Sequence, residues 1–232
     1  MPDDADRALL DAVFWTALSG TQRALTVGSE TARRYAPGFS PMVAFADTTR
    51  PDFAALAPYC APGERFYCEG WSGDVPAGWQ LLVDTRMVRM LWSGLRSPDA
   101  QPIADARALG IGDAPQALDL ALLTNPGPFG LRTIELGGYV GVFETGKLVA
   151  MAGERLHAGR FREVSGICTH PGWQGRGLAT GLTAQVIRAQ LARGQVPFLH
   201  VMSANTVARS LYRRMGFDDY RETVVRVLAR LP

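Results

Sequence analysis

Cysteine is scarce: three residues in 232, Cys60, Cys68 and Cys168. They form no CxxC pair and their number is odd, so a disulfide framework or a structural zinc site is not expected. His157, His170 and His200 have no metal-ligand spacing with them, so no metal is expected, and a reduced cytoplasmic protein fits best. Long apolar runs are absent too. No stretch reaches the ~18 uncharged apolar residues of a membrane span. The acidic start MPDDADRALLDA does not read as a secretory signal. Lysine occurs once, as Lys147, among 24 basic residues, a compositional trait without mechanistic weight. The net charge is only +2, too small to announce a nucleic-acid partner.

What remains is ordinary globular composition, 47% hydrophobic and 20% charged, which excludes a largely disordered chain. Charge is divided unevenly. Residues 1–100 hold 9 basic and 12 acidic groups, a balance of −3, and residues 101–232 hold 15 and 10, a balance of +5. The second part either suits an anionic ligand or shows scatter in surface charge.

The pattern along the chain predicts a helix over 6–18, with Leu10, Val13, Phe14, Ala17 and Leu18 on one face. Strands follow over 41–46, 65–71, 79–84 and 86–92, and a helix over 51–59. Phe39, Phe45, Trp71, Trp79 and Trp92 read as core, because strand aromatics usually pack. SGLRSPDAQP, residues 93–102, is the best linker, and a domain boundary falls near residue 98. An N-terminal α/β region over 1–98 and a second domain over 99–232 result. After the boundary come a strand over 103–110 and a helix over 113–123, capped by Asp113, with Leu118, Ala121 and Leu122 inward. Residues 125–130 make a loop. Strands span 138–144, 147–156 and 162–170, the first two joined by a turn at Thr145-Gly146. A helix over 176–193 carries a stripe of Leu178, Leu182, Val186 and Ala189. A buried strand over 197–202, a short helix from an Asn205 cap to Gly216 and a strand over 221–229 complete the chain.

Chemistry concentrates at Gln174-Gly175-Arg176-Gly177-Leu178-Ala179, after a strand and before a helix. Two glycines remove Cβ atoms where backbone must approach a ligand. The first free amides of the helix and its dipole favour an anion in the same space. The segment reads as a phosphate cradle, or else as a glycine-rich turn. No GK[ST] follows, so it is not a Walker loop, and it does not fit the dinucleotide fingerprint.

These residues resemble the GNAT superfamily of acyl-CoA-dependent N-acyltransferases. Gln174-x-x-Gly177-x-Ala179 matches its loop signature. Asn205, Ala208, Leu211-Tyr212 and Gly216-Phe217 match a second one, a short helix opened by Asn, carrying Tyr and followed by Gly-Phe. The resemblance covers roughly residues 103–232 and is closest to the glycine-N-acyltransferase-like branch. It implies the GNAT fold, an α+β arrangement with a central, mostly antiparallel sheet and flanking helices, and acetyl-CoA as co-substrate. It further implies that Ile167, Cys168 and Thr169 bond the pantetheine arm. Gln174, Gly175, Arg176, Gly177, Leu178, Ala179 and Thr180 then meet the pyrophosphate. Asn205 and Tyr212, seven residues apart, share a helix face and line the cofactor arm.

The resemblance makes Tyr212 the proton donor to the leaving thiolate. It suggests Glu163, eleven residues before Gln174, as the base, with a pKa raised by desolvation. A surface glutamate paired with Arg160 or Arg162 is the alternative reading, and His157 the other candidate base. Phe129, Glu135 and His157 are candidate acceptor contacts. Cys168 is not expected to carry the acyl group, because direct transfer suits the fold. The expected function is acetyl transfer to a primary amine of a small molecule or peptide, with no nucleic-acid or membrane partner. A non-catalytic acyl-CoA-binding or regulatory protein, or a structural protein with a mere glycine turn, are the alternatives. Residues 1–98 read as a decayed copy of the same fold, a lid, or a dimerisation surface in a homodimer.

Overall fold

A computed structural model describes residues 3–94 and 98–232. Asp3 opens the first helix, α1 (Asp4–Asp11), by accepting the amide of Asp6 at 2.8 Å. The helix expected over 6–18 is broken. Ala12 leaves helical geometry (φ −109°, ψ 35°), α2 (Val13–Thr16) follows, and a π turn over Ala17–Thr21 ends the unit around the non-helical Gly20. Its apolar face is nevertheless as expected: Leu10, Val13, Phe14, Ala17 and Leu18 are all buried.

The strands are β1 (Thr26–Gly28), β2 (Ala32–Tyr35), β3 (Met42–Phe45), β4 (Arg65–Glu69), β5 (Trp79–Trp92), β6 (Arg107–Ala108), β7 (Val140–Glu144), β8 (Lys147–Ala158), β9 (Phe161–Thr169), β10 (Val196–Met202) and β11 (Phe217–Arg230). Between them lie α3 (Phe53–Leu56), α4 (Ala114–Thr124), α5 (Leu178–Ala192) and α6 (Thr206–Met215). The described strands form one sheet in the order β1-β2-β3-β4-β11-β5-β10-β9-β8-β7-β6. All neighbours are antiparallel except β3 with β4 and β10 with β9.

The sheet runs without a break across residue 98. The last strand, β11, lies between β4 and β5, and β5 pairs on its other edge with β10. This explains why 79–84 and 86–92 are one strand rather than two. β11 pairs with β5 from Trp92↔Phe217 to Trp79↔Arg230, and Asp84 is tied to Arg226 of β11 at 2.8 Å. The partner's length overrides the polar interruption at Asp84 and Thr85. The expected linker over 93–102 includes residues 95–97, which lie outside the described residues. Beyond them the chain lies along α5, where Arg188 donates to the carbonyls of Pro98 and Ala100 at 2.6 Å. Only Arg107 and Ala108 of the strand expected over 103–110 join the sheet.

Side chains alternate across the sheet. On one face α5 places Leu182, Val186 and Ile187 against Val88, Val149, Leu199 and Val201. On the other, α1 and α2 cover Leu156, Phe161 and Phe198, and α4 covers Tyr139, Met151 and Cys168. The face of α4 is turned from the expected one, although Ala121 is buried as expected, while in α5 Leu178, Leu182 and Val186 pack as expected and only Ala189 does not. In α4 the buried residues are Ala114, Ala117, Leu120 and Ala121, while Leu122 is 68% exposed. In α5 Ala189 is exposed and Gln190 is buried. Asp113 precedes α4 without capping it. Its carboxylate instead accepts from the Gly110 amide at 2.9 Å and from Arg107. The five aromatics read as core, Phe39, Phe45, Trp71, Trp79 and Trp92, are buried.

Candidate active site

The parallel pair β9 and β10 is joined only at its beginning, by Val196↔Phe161, Pro197↔Arg162 and Phe198↔Glu163. β9 continues to Thr169 and β10 to Met202, so the strands part and form a fork. Within the fork, β9 keeps its pairing with β8 on one edge only. Its other backbone groups face the gap, where buried donors and acceptors require partners. Thr169 Oγ1, at the end of β9, is buried with no partner.

The chain leaves the fork through a tight turn over Pro171–Trp173, in which His170 Nδ1 accepts the Gly172 amide at 3.1 Å. Gln174 Nε2 reaches back to the carbonyl of Thr169 at 3.5 Å. Gly175 and Gly177 then both adopt φ of 76°, the left-handed region that other residues occupy only at a cost. A Cβ built on either would meet nothing within 4 Å. The glycines are therefore required by backbone conformation, and the space above them is open.

α5 starts at once. Its first internal bond is Gly181 N–H to Gly177 O at 2.9 Å, which leaves the amides of Leu178, Ala179 and Thr180 without an intrahelical acceptor. No acidic residue stands in the first turn, so the positive helix end is not neutralised. Arg176 lies over the Trp173 ring at 4.2 Å, a cation held at the edge of the loop.

Opposite the loop stands α6. Asn205 Oδ1 caps it by accepting the Ala208 amide at 3.1 Å, which leaves its amide nitrogen to donate elsewhere. Asn205 and Tyr212 both line the cleft between α6 and the loop, as the seven-residue spacing predicted. The cleft holds about 570 Å³ and is lined also by Ile167, Cys168, Thr169 and Leu178. No Asp, Glu, His or Lys is among its lining residues. Burial pushes the Tyr212 hydroxyl up to about 12 and the Cys168 thiol up to about 11. Both stay protonated at neutral pH, so Cys168 is no nucleophile.

Five expected site residues do not line the cleft: Arg176, which is drawn over Trp173 at the edge of the loop, and Glu163, His157, Glu135 and Phe129, which lie elsewhere. Glu163 is 1% exposed and is held by Arg155 at 2.7 and 2.9 Å, by His200 Nδ1 at 2.7 Å and by the Leu156 amide at 3.2 Å. Burial alone would raise its pKa. The Arg155 charge and hydrogen bonds, with His200, outweigh burial and hold it well below the usual carboxylate range. A carboxylate so saturated is not a base, nor is it the surface residue paired with Arg160 or Arg162.

His157 pairs with Arg162 near the far end of β8. Ala150, opposite Thr169, is seven residues away, ~23 Å along a strand. Burial brings His157 down to about 4, so it is a poor base. Glu135 is bound to Arg132 at 2.8 Å, which lowers its pKa. Phe129 packs edge-on to Tyr139 at 5.9 Å. Neither residue lines the cleft. Sequence reasoning missed Trp173 and Thr124, which do line it. A tryptophan one residue before the loop glutamine was an available signal. Thr124 has none, because it reaches the cleft only through the packing of α4.

Residues 139–227 match the FR47-like protein family. The N-alpha-acetyltransferase RimI of Mycobacterium tuberculosis is 34% identical over 148 residues, covering 60% of this chain and 83% of that protein. A crystal structure of a GNAT-family acetyltransferase from Novosphingobium aromaticivorans superposes with a TM-score of 0.85 at 34% identity. The match covers 96% of this chain and 99% of that one. The chain belongs to the GNAT family. A GCN5-related N-acetyltransferase from Kribbella flavida, at 15% identity and a TM-score of 0.58 over 96% of this chain, shares the fold. GNAT membership makes the chain an acyltransferase of the N-acetyltransferase type, and the non-catalytic alternative is not favoured. Among the described residues no helix is long and apolar enough to cross a membrane.

Proposed function

We propose that the chain transfers an acetyl group from acetyl-CoA to the primary amine of a small molecule or peptide, with the co-substrate lying in the cleft between the 174–180 loop and α6. One observation carries this reading. Two left-handed glycines with open space above them lead into three unbonded amides at an unneutralised helix end. That arrangement suits a pyrophosphate, and the unpartnered Thr169 Oγ1 and the open edge of β9 suit an amide-rich arm.

Acetyl-CoA supplies the activated acyl group as a thioester. The amides of residues 175, 177 and 179 hold its phosphates, and a backbone N–H of residues 167–169 polarises the carbonyl. The Asn205 amide nitrogen donates to the arm. Tyr212 hydrogen-bonds the sulfur as negative charge develops on it. A hydroxyl near 12 does not surrender its proton fully to a thiolate of ~8.5, so it acts mainly by donating.

Among the described residues no Asp, Glu, His or Lys lines the cleft. The amine therefore loses its proton to solvent before attack, and the rate should follow the pKa of the amine itself. The three cysteines are free, which suits a reducing, cytoplasmic setting.

Two measurements test this. Acetyl-CoA at 100 times its dissociation constant should stabilise the fold by about 2.7 kcal/mol. Thiol release with two amines of different pKa should show a rising pH limb that shifts with the amine. A limb fixed at one pH for both amines would point to an enzymic base instead. No stabilisation at millimolar acetyl-CoA would remove the cofactor assignment.

A further inference from the structure

Five buried side chains from five strands form a charged ladder across the sheet at the closed end of the fork: Glu69 (β4), Arg89 (β5), His200 (β10), Glu163 (β9) and Arg155 (β8). Their exposures are 9%, 1%, 5% for the His200 side chain, 1% and 7%. Arg89 donates to Glu69, to the carbonyl of Leu10 and, through Nε, to His200 Nε2 at 3.0 Å. His200 Nδ1 meets Glu163 Oε1 at 2.7 Å. Arg155 closes the far end with two bonds to Glu163.

The ladder fixes the state of the ring. A guanidinium can only donate, so Nε2 must present a lone pair to Arg89. Nδ1 therefore carries the proton and donates it to Glu163. The ring is also held between Phe14 and Phe198, edge-on at 5.8 and 5.6 Å. Its placement relative to the fork is what matters. Phe198↔Glu163 is the last strand pair, and His200 lies two residues further on, where β10 has already parted from β9. The Glu163–His200 bond thus spans the opening just past its vertex.

We propose that this ladder sets how far β9 and β10 diverge, with His200 in its Nδ1–H form as the adjustable link, so that Glu163 and His200 are positioning residues for acyl transfer. The idea rests on the cleft being the acetyl-CoA site. The phosphates would be held at residues 174–180, remote from the ladder. The thioester carbonyl depends on the open edge of β9, whose direction the ladder controls. A misplacement of about 1 Å at the reacting atoms can cost 10²-fold in rate.

The test separates these roles. His200→Leu removes both bonds and should lower kcat about 10- to 100-fold while the Kd for acetyl-CoA changes less than about threefold. His200→Gln carries a donor and an acceptor on one amide and should recover most of kcat. Nitrogen-15 NMR of the histidine-labelled wild type should show His200 as the Nδ1–H tautomer. Loss of acetyl-CoA binding in parallel with kcat, a kcat unchanged in His200→Leu, equal losses in the Leu and Gln variants, or an Nε2–H tautomer would each overturn the proposal. The tautomer measurement decides even if the Leu variant does not fold. Failure of the wild type to bind acetyl-CoA would instead strike the function proposed above.

Discussion

At the scale of single residues, position along a strand matters more than residue type. Glu163 has the eleven-residue spacing that suggested a base, yet its carboxylate accepts four bonds and stays charged. The spacing was legible; the burial of Arg155 and His200 beside it was not, because the partners come from other strands. A charged residue inside an apolar run, such as Arg89 in RMVRMLW or His200 in PFLHVM, was the available sign of a buried pair. Tyr212 was readable because its spacing from Asn205 is local to one helix. Tyr212→Phe should lower kcat about 10- to 100-fold with acetyl-CoA affinity within about threefold, since only a hydrogen-bond donor is lost; steady-state kinetics with direct binding checks this. His157 yields a stability prediction. Its pKa falls from 6.5 to about 4 on folding, so the unfolded chain binds the extra proton between those values. Stability should therefore decline as pH drops from about 6.5 to about 4, by ~3 kcal/mol in all. His157→Gln should flatten that part of the curve in urea titrations, leaving the steeper loss below about pH 4.5, where the unfolded chain protonates carboxylates such as Glu163 that stay charged in the fold.

At the scale of elements, the loop and the N-terminus of α5 were the most legible part of the chain. Gly175 and Gly177 are there because the backbone adopts φ of 76° twice within three residues, a demand that sequence displays directly. Gly177→Val would meet that demand with a β-branched residue, at a cost of at least ~1–2 kcal/mol for the left-handed conformation. It would also fill the open space above the loop. A lowered melting temperature should therefore accompany an acetyl-CoA Kd at least about tenfold weaker, measured by calorimetry. A lower melting temperature with unchanged affinity would mean the loop is only a turn. The face of α4 was less legible. APQALDLALLT offers apolar residues all round, and its small alanines, not Leu118 and Leu122, pack closest to the sheet. β5 was read as two strands because local pattern contains no word of β11, over a hundred residues away.

At the scale of the molecule, the division at residue 98 marks where motifs begin, while the sheet ignores it. β5 and β11 are exchanged across that division, so each part holds a strand that completes the other. Residues 1–98 produced alone should lack cooperative unfolding, and the intact chain should melt in a single transition with coincident near- and far-ultraviolet dichroism. Two separated transitions would show that the halves stabilise independently. The same exchange governs synthesis. On the growing polypeptide β5 appears early, with both edges bare, and its partners on β11 follow about 130 residues later. At ~5–20 residues per second the ribosome takes roughly ten seconds to deliver them. Through that interval a 14-residue strand presents unpaired amides and carbonyls to anything nearby. Its charges, Asp84, Arg86 and Arg89, are then unpaired and hydrated. The same side chains that later tie β5 to β10 and β11 thus serve first as gatekeepers against aggregation of the nascent chain.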